Sequence, residues 1–231
     1  MRNQYIIEIR KDGYMKYISH LDMIKLFKNS FKKAGIKLAY SQGFNPHPKM
    51  GFAQPLSLGY SSSCEILEFE TKDVFQPTEI LERLQCSVPK GIEIFNCDKF
   101  TNKKSFAART YAATYEITIP IKENFFQESD CKNKSAQELC EAFMKQEKIV
   151  ALKRQKKTGT NVEVDIKGMV RSLKATIVED SKERLVLTAT LDSGSNSNLS
   201  PELVFVAFAA FAGIDIERED VEIKRTELFF T

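Results

Sequence analysis

Twice between Gln4 and Asn96 the apolar residues change their spacing from every second position to every third or fourth and back, and this succession of periods limits the possible folds. Gln4 to Arg10 alternates as a strand. His20 to Ala34 repeats at helical spacing, Lys37 to Ser41 and the stretch near Met50 to Gln54 are extended, and Cys64 to Thr71 alternates again. Pro77 opens a second helix carrying Ile80, Leu81, Leu84 and Val88, and Ile92 to Asn96 closes with a strand. The order β-α-β-β-α-β predicts an α+β chain that begins with a ferredoxin-like domain over residues 1–99.

Residues 100–110 change composition, with Asn102, Lys103, Lys104 and Ser105 in succession, and are expected to link two domains. Beyond them the order partly repeats. Tyr111 to Ile119 is a strand, Ser135 caps a helix from Ala136 to about Gln146, and Ile149 to Arg154 and Val162 to Ile166 flank a Lys-Lys-Thr-Gly-Thr turn. Lys174 to Glu179 and Arg184 to Leu191 form a hairpin, Ser200 and Pro201 start an apolar helix ending at Gly213, and Val221 to Phe230 is the last strand. The expectation is tandem ferredoxin-like domains, the second covering 111–231 and embellished with an extra basic hairpin. Val204, Phe205, Val206, Phe208 and Phe211 make the helix after Pro201 apolar nearly all round, which suits burial between the domains or docking on a protein partner.

A chain of 231 residues, 42% hydrophobic and 28% charged, has material for two small cores. A net charge of +3 decides nothing, because nucleic-acid binders declare themselves by local patches. No apolar run is long enough to span a bilayer, so a cytoplasmic protein without membrane contact is expected. Cys64, Cys86, Cys97, Cys131 and Cys140 are odd in number and show no C-x-x-C pair, which suggests reduced thiols and neither a disulfide framework nor a zinc site. The closely spaced three-cysteine motif of a radical SAM iron–sulfur cluster is missing, and no cofactor is expected in this chain.

The most particular stretch runs from Tyr17 to Pro48 and holds both histidines, His20 and His47. Ser19 is suited to cap the helix, with Asp22 three residues on near the positive end of the dipole. Leu21, Ile24, Phe27 and Phe31 make one apolar stripe, while Lys25, Lys28 and Lys32 share another face and Gly35 can end the helix. That second face serves either as a solvated surface or as a cationic contact. In the loop after Tyr40, Pro46 and Pro48 hold Asn45 and His47 in extended geometry. Tyr40, Phe44, Asn45, His47 and Lys49 are therefore candidates to stack on a base or grip a phosphate, the alternative being an ordered connection whose aromatics fill the core.

A second cationic candidate is the hairpin of Lys153, Arg154, Lys156 and Lys157 with Arg171 beyond it, interrupted only by Glu163 and Asp165. Such a hairpin can track a phosphate backbone, or simply guard a strand edge with lysine. The alternation of the first and third strands puts Glu8, Arg10, Glu68 and Glu70 on the less apolar sheet face. That face is acidic, so base stacking on the open sheet is not expected. If the chain is an enzyme, His20 in the first helical turn is the better base, kept neutral by the dipole, with His47 and Tyr40 as further candidates. No spacing supports a metal site.

The run SHLDMIKLFKNSFKKAGIKLAYSQGFNPHPKMGFAQPLSLG resembles the opening signature of the radical-SAM-linked proteins, a bacterial family built on a domain of unknown function that stands alone or is joined to the end of a radical SAM protein. LKRQKKTGTNVEVDIKGMVRSL is similar to the family's basic middle block and IKRTELFF to its closing strand. Where the family pattern has Arg-Pro, this chain has Asn198-Leu-Ser-Pro201. The resemblance implies an accessory that works with a radical SAM protein, as an RNA-binding or substrate-presenting module in RNA modification or maturation. Tandem ferredoxin-like domains with a histidine on the first helix also resemble the CRISPR repeat-cleaving endonucleases, although their glycine-rich closing loop is missing. Three expectations follow: a binding module, an RNA-processing enzyme using His20 and His47, and a protein adaptor for a radical SAM partner.

Overall fold

The computed structural model describes residues 3–122, 125–128, 135–155, 159–179 and 183–231. It divides into two compact units, residues 1–111 with 227–231, and residues 112–226.

The first unit contains β1 (Asn3–Lys11), α1 (His20–Lys33), β2 (Met50–Phe52), β3 (Ser61–Thr71), α2 (Pro77–Gln85), β4 (Ile92–Lys99) and α3 (Phe106–Arg109). The strands lie in the order β4-β1-β3 with β2 on the far side of β3, and every pairing is antiparallel. The register sets Ile7 opposite both Leu67 and Cys97. Tyr5, Ile7, Ile9, Leu67 and Phe69 thus share the inward face, where Phe27 and Phe31 of α1 and Ile80 and Leu84 of α2 cover them.

The Ser19 hydroxyl caps α1 by accepting the Asp22 N–H, as its sequence predicts. The buried stripe, however, is Met23, Phe27, Ser30 and Phe31, and Leu21 is 70% exposed. At roughly 100° per residue, Leu21 lies about 200° round the helix from Met23 and faces away from the sheet. Helix α2 stops at Gln85, short of Val88, because Pro89 disfavours helical geometry in the residue before it. The extended stretch expected over Lys37 to Ser41 is reduced to two isolated bridges, Leu38 with Thr71 and Tyr40 with Pro48. Proline has no N–H to extend that ladder.

Residues 100–110, expected to link two domains, are built into the first unit. Ser105 caps α3, the Phe106 N–H donates to the Glu68 carboxylate, and the Phe106 ring meets Phe100 at 5.3 Å and Phe230 at 4.7 Å. Two aromatic residues inside a polar stretch are enough to anchor it.

The second unit contains most of β5 (Thr110–Pro120), α4 (Phe125–Glu128), α5 (Ala136–Lys145), β6 (Val150–Arg154), β7 (Asn161–Asp165), β8 (Val170–Glu179), β9 (Glu183–Asp192), α6 (Pro201–Ala212) and most of β10 (Glu222–Phe230). The strands run β10-β5-β9-β8, and β6 and β7 form a separate two-stranded ribbon. Ile117 stands opposite Leu187, which stands opposite Ala175. Ser135 and Glu138 form a reciprocal capping box at the start of α5. Helix α6 buries Val204, Phe205, Phe208 and Ala209 inside this unit, with Phe143 of α5 against Phe208 at 5.2 Å, and leaves Val206 53% exposed. Among the described residues, no helix is long and apolar enough to cross a membrane.

Two outcomes are expected from this packing. Phe27→Ala empties a fully buried site and should cost about 3–5 kcal/mol of unfolding free energy in urea denaturation. Burial pushes the Cys97 thiol up to about 12 and the Cys140 thiol up to about 11, whereas Cys86 is exposed. Only a thiolate is nucleophilic, so at pH 8 alkylation followed by mass spectrometry should label Cys86 in the native protein, and Cys97 and Cys140 only after unfolding.

Candidate nucleic-acid interface

The C-terminal half of α1 and the chain that follows it enclose a cleft of about 470 Å³. Lys28 and Lys32 stand one turn apart on α1, exposed and about 100° round the helix from the stripe that Phe27 and Phe31 bury. Gly35, at φ +72°, ends the helix in the left-handed conformation, and the Ile36 N–H returns to the Phe31 carbonyl at 2.9 Å. Ile36 and Leu38 then turn into the core, which leaves Lys37 between them in solvent. The Lys72 N–H donates to the Lys37 carbonyl at 2.9 Å and so brings a fourth lysine to the rim.

Lys28, Lys32, Lys37 and Lys72 line this cleft with Tyr40, and among the described residues no acid lines it. Among the described residues, none of the four ammonium groups has an ion-pair partner. The sequence marks Lys28, Lys32 and Tyr40 as candidates, but not Lys37 or Lys72. Lys37 is legible in the alternation after the helix, whereas Lys72 reaches the cleft only through the pairing of its backbone with residue 37.

Tyr40 also begins the loop. Its pairing with Pro48, the Ser41 N–H donating to the His47 carbonyl at 2.8 Å and the His47 N–H donating to the Ser41 hydroxyl at 3.0 Å close the loop at its base. Asn45 and His47 are exposed, and Phe44 at the tip is fully exposed.

Two other lysines of the same region are neutralised. Lys25 pairs with Asp22 at 3.1 Å, and Lys49 pairs with Glu70 at 3.1 Å. The Ser19 hydroxyl, then Lys25, hold the Asp22 carboxyl below its ordinary value. Lys49 and Glu70 belong to a second cleft of about 420 Å³ on the outward sheet face, with Gln4, Glu68 and Phe100. Burial raises the Glu68 carboxyl, opposed by the backbone N–H of Phe106. Glu68 and Glu70 lie on the outward side, opposite Ile6 and Gln4, as their alternation predicts.

His20 occupies a different place. Its ring meets Phe52 edge-on at 5.7 Å over a cavity of about 10 Å³ lined also by Lys11, Met23, Leu56 and Glu65. Lys11 and Glu65 are buried at 1% and 2% exposure, and Lys11 Nζ donates to the Ile18 carbonyl at 3.3 Å. Neither Tyr40 nor His47 lines that cavity, which has room for about one water. The candidate catalytic residues are thus divided between two places.

The basic ribbon is less uniform than its composition suggests. Val150, Leu152 and Arg154 of β6 share a face with Asp165, Glu163 and Asn161 of β7, while Lys153 stands on the other face opposite Val162. Asp165 accepts the backbone N–H groups of Lys167 at 3.0 Å and Ile149 at 3.1 Å, and these hold its carboxyl below the ordinary value. Arg171 pairs with Asp192 at 2.7 Å. Lys156 and Lys157, like Cys131, lie outside the described residues.

A model of the family described as "Uncharacterized protein conserved in bacteria (DUF2344)" matches residues 4–201. The chain belongs to that family. Curated proteins give no match. Among solved structures, the chain is similar to one described as "Crystal Structure of a Cbf5-Nop10-Gar1 Complex", at 9% identity and a TM-score of 0.47 over 97% of this chain. The match spans 48% of that chain, about half its length. It is also similar to "Crystal Structure of an Unknown Protein from Galdieria sulphuraria", at 9% identity and a TM-score of 0.28 over 100% of this chain and 99% of that one. Both likenesses are weak, and nothing about the activity of this chain follows from either.

Proposed function

We propose that this member of the DUF2344 family is an RNA-binding accessory module that holds RNA along the cleft between α1 and Lys72 and presents it to a radical SAM partner for modification or maturation. The observation that carries the RNA part is the gathering of Lys28, Lys32, Lys37 and Lys72 around an aromatic ring, with neither an ion-pair partner nor an acid in the lining among the described residues. Like charges brought together at the rim repel one another in the free protein, and phosphates relieve that repulsion while releasing counterions. The partner is suggested by the resemblance of the Ser19–Gly59 run to the radical-SAM-linked proteins. Any iron–sulfur chemistry would then belong to that partner.

We read both units as ferredoxin-like. Supporting this are the β-α-β-β-α-β order and the antiparallel β4-β1-β3-β2 arrangement of the first unit, and the matching β10-β5-β9-β8 order of the second, with the β6–β7 ribbon as its embellishment. The endonuclease-like alternative needs His20 and His47 at one scissile bond, and their separate surroundings favour the binding module.

Replacing Lys28, Lys32, Lys37 and Lys72 together by serine tests the cleft. Anisotropy titrations of labelled RNA at two salt concentrations should show weaker binding for every sequence, and a log–log salt slope shallower by about 0.7 for each phosphate that the variant no longer neutralises. Lys153→Ser with Arg154→Ser should do much less. Unchanged affinity and slope in the quadruple variant would remove the cleft from the proposal.

A further inference from the structure

Resting on the reading of the cleft as an RNA site, we infer that the loop from Ser41 to Pro48 takes hold of an unpaired base, so that the ligand is single-stranded or looped RNA and not duplex. The first support is the closed neck. The Tyr40–Pro48 bridge and the two Ser41–His47 hydrogen bonds, at 2.8 and 3.0 Å, fix the base of the loop and present residues 42–46 as its tip. Gly43, at φ +128°, adopts a backbone conformation that other residues avoid, so the turn beside Phe44 is built into the sequence.

The second support is Phe44 itself. It is fully exposed at 112% of its reference area, so its ring contributes no burial to the fold and gains all of its apolar burial when something covers it. The third is its setting. Tyr40, 40% exposed, belongs both to the neck of this loop and to the lysine cleft, so one ring stands among the ammonium groups and a second follows at the tip. A cationic track that follows the backbone, with aromatic side chains beside it, is the recipe for single-stranded nucleic acid, since every unpaired base offers a π-face. In a duplex those faces are stacked inside the helix and recognition falls to shape and backbone, which leaves Phe44 nothing to cover.

The chain contains no tryptophan, so Phe44→Trp installs a sole indole reporter at the tip. Its emission should be quenched by a single-stranded RNA of about 15 nucleotides and unchanged by the same RNA annealed to its complement. In parallel, anisotropy with wild type and Phe44→Ala compares the two forms of the RNA. The variant should bind the single strand roughly five- to 150-fold more weakly and the duplex as wild type does. Because Phe44 packs on nothing, this change leaves the fold intact. Equal binding of both forms, with Phe44→Ala neutral and the indole silent, overturns the inference and leaves the lysine cleft standing. A loss in Phe44→Ala that is the same for both forms also overturns it. No binding of either form by wild type at low salt overturns the RNA reading together with this one.

Discussion

Burial of Phe27 and Phe31 against β1 and β3 is the interaction on which the rest of the first unit depends. Phe31 packs on Phe69 at 4.6 Å, Phe69 stacks with Tyr5 at 5.7 Å, and Phe27 meets Phe52 of β2 at 5.8 Å. These rings fix the rotation of α1 about its own axis. Once that rotation is set, helix geometry turns Lys28 and Lys32 to solvent. Gly35 then has to end the helix within one turn, because Ile36 and Leu38 are drawn back into the same core. The cleft is therefore a by-product of core packing, and its charge is a property of the residues that packing leaves outside.

Pairing separates the lysines of this cleft from Lys25, Lys49 and Arg171. Lys25, Lys49 and Arg171 each have a carboxylate within 3.1 Å, and the acids of β7 share a face with Arg154. Exposed pairs of this kind contribute little to stability, about 0–1 kcal/mol, but they cancel the local field. The four lysines of the cleft keep theirs. At physiological ionic strength that field reaches about 8 Å, enough to act on a phosphate at the cleft but not to steer one across the molecule.

Much of this is legible in the sequence, and the misses have physical causes. The alternation of β1 and β3 marks the core face correctly through Ile9 and Leu67, and carried two positions further it reaches Lys11 and Glu65, both buried. Their residue types suggest solvent, although the period alone predicts otherwise. Leu21 joins the stripe by residue type, where the angle about the helix puts it outside. Residues 100–110 resemble a linker by composition, yet two phenylalanines decide their place. Lys72 is not legible at all, since only the pairing of residues 37 and 72 brings it to α1.

The two ends of α1 have opposite characters, and the difference bears on where function lies. At the amino end, Lys11 reaches the carbonyl of Ile18, the residue before the Ser19 cap, and so ties the end of β1 to the start of the helix. Burying an ammonium and a carboxylate costs several kcal/mol per ion unless each is met by opposite charge or hydrogen bonds, and Lys11, at 1% exposure, meets part of that cost through the Ile18 carbonyl. The cavity of about 10 Å³ among Lys11, Glu65 and His20 has room for about one water. At the carboxyl end the reverse holds: among the described residues the lysines are exposed, like-charged and without ion-pair partners, and the adjacent loop is tied at its neck while its aromatic tip is bare. On the reading proposed above, such a surface keeps its interaction energy for a partner, with recognition at Lys28, Lys32, Lys37, Tyr40 and Phe44, while His20 sets its ring edge-on to Phe52 of β2.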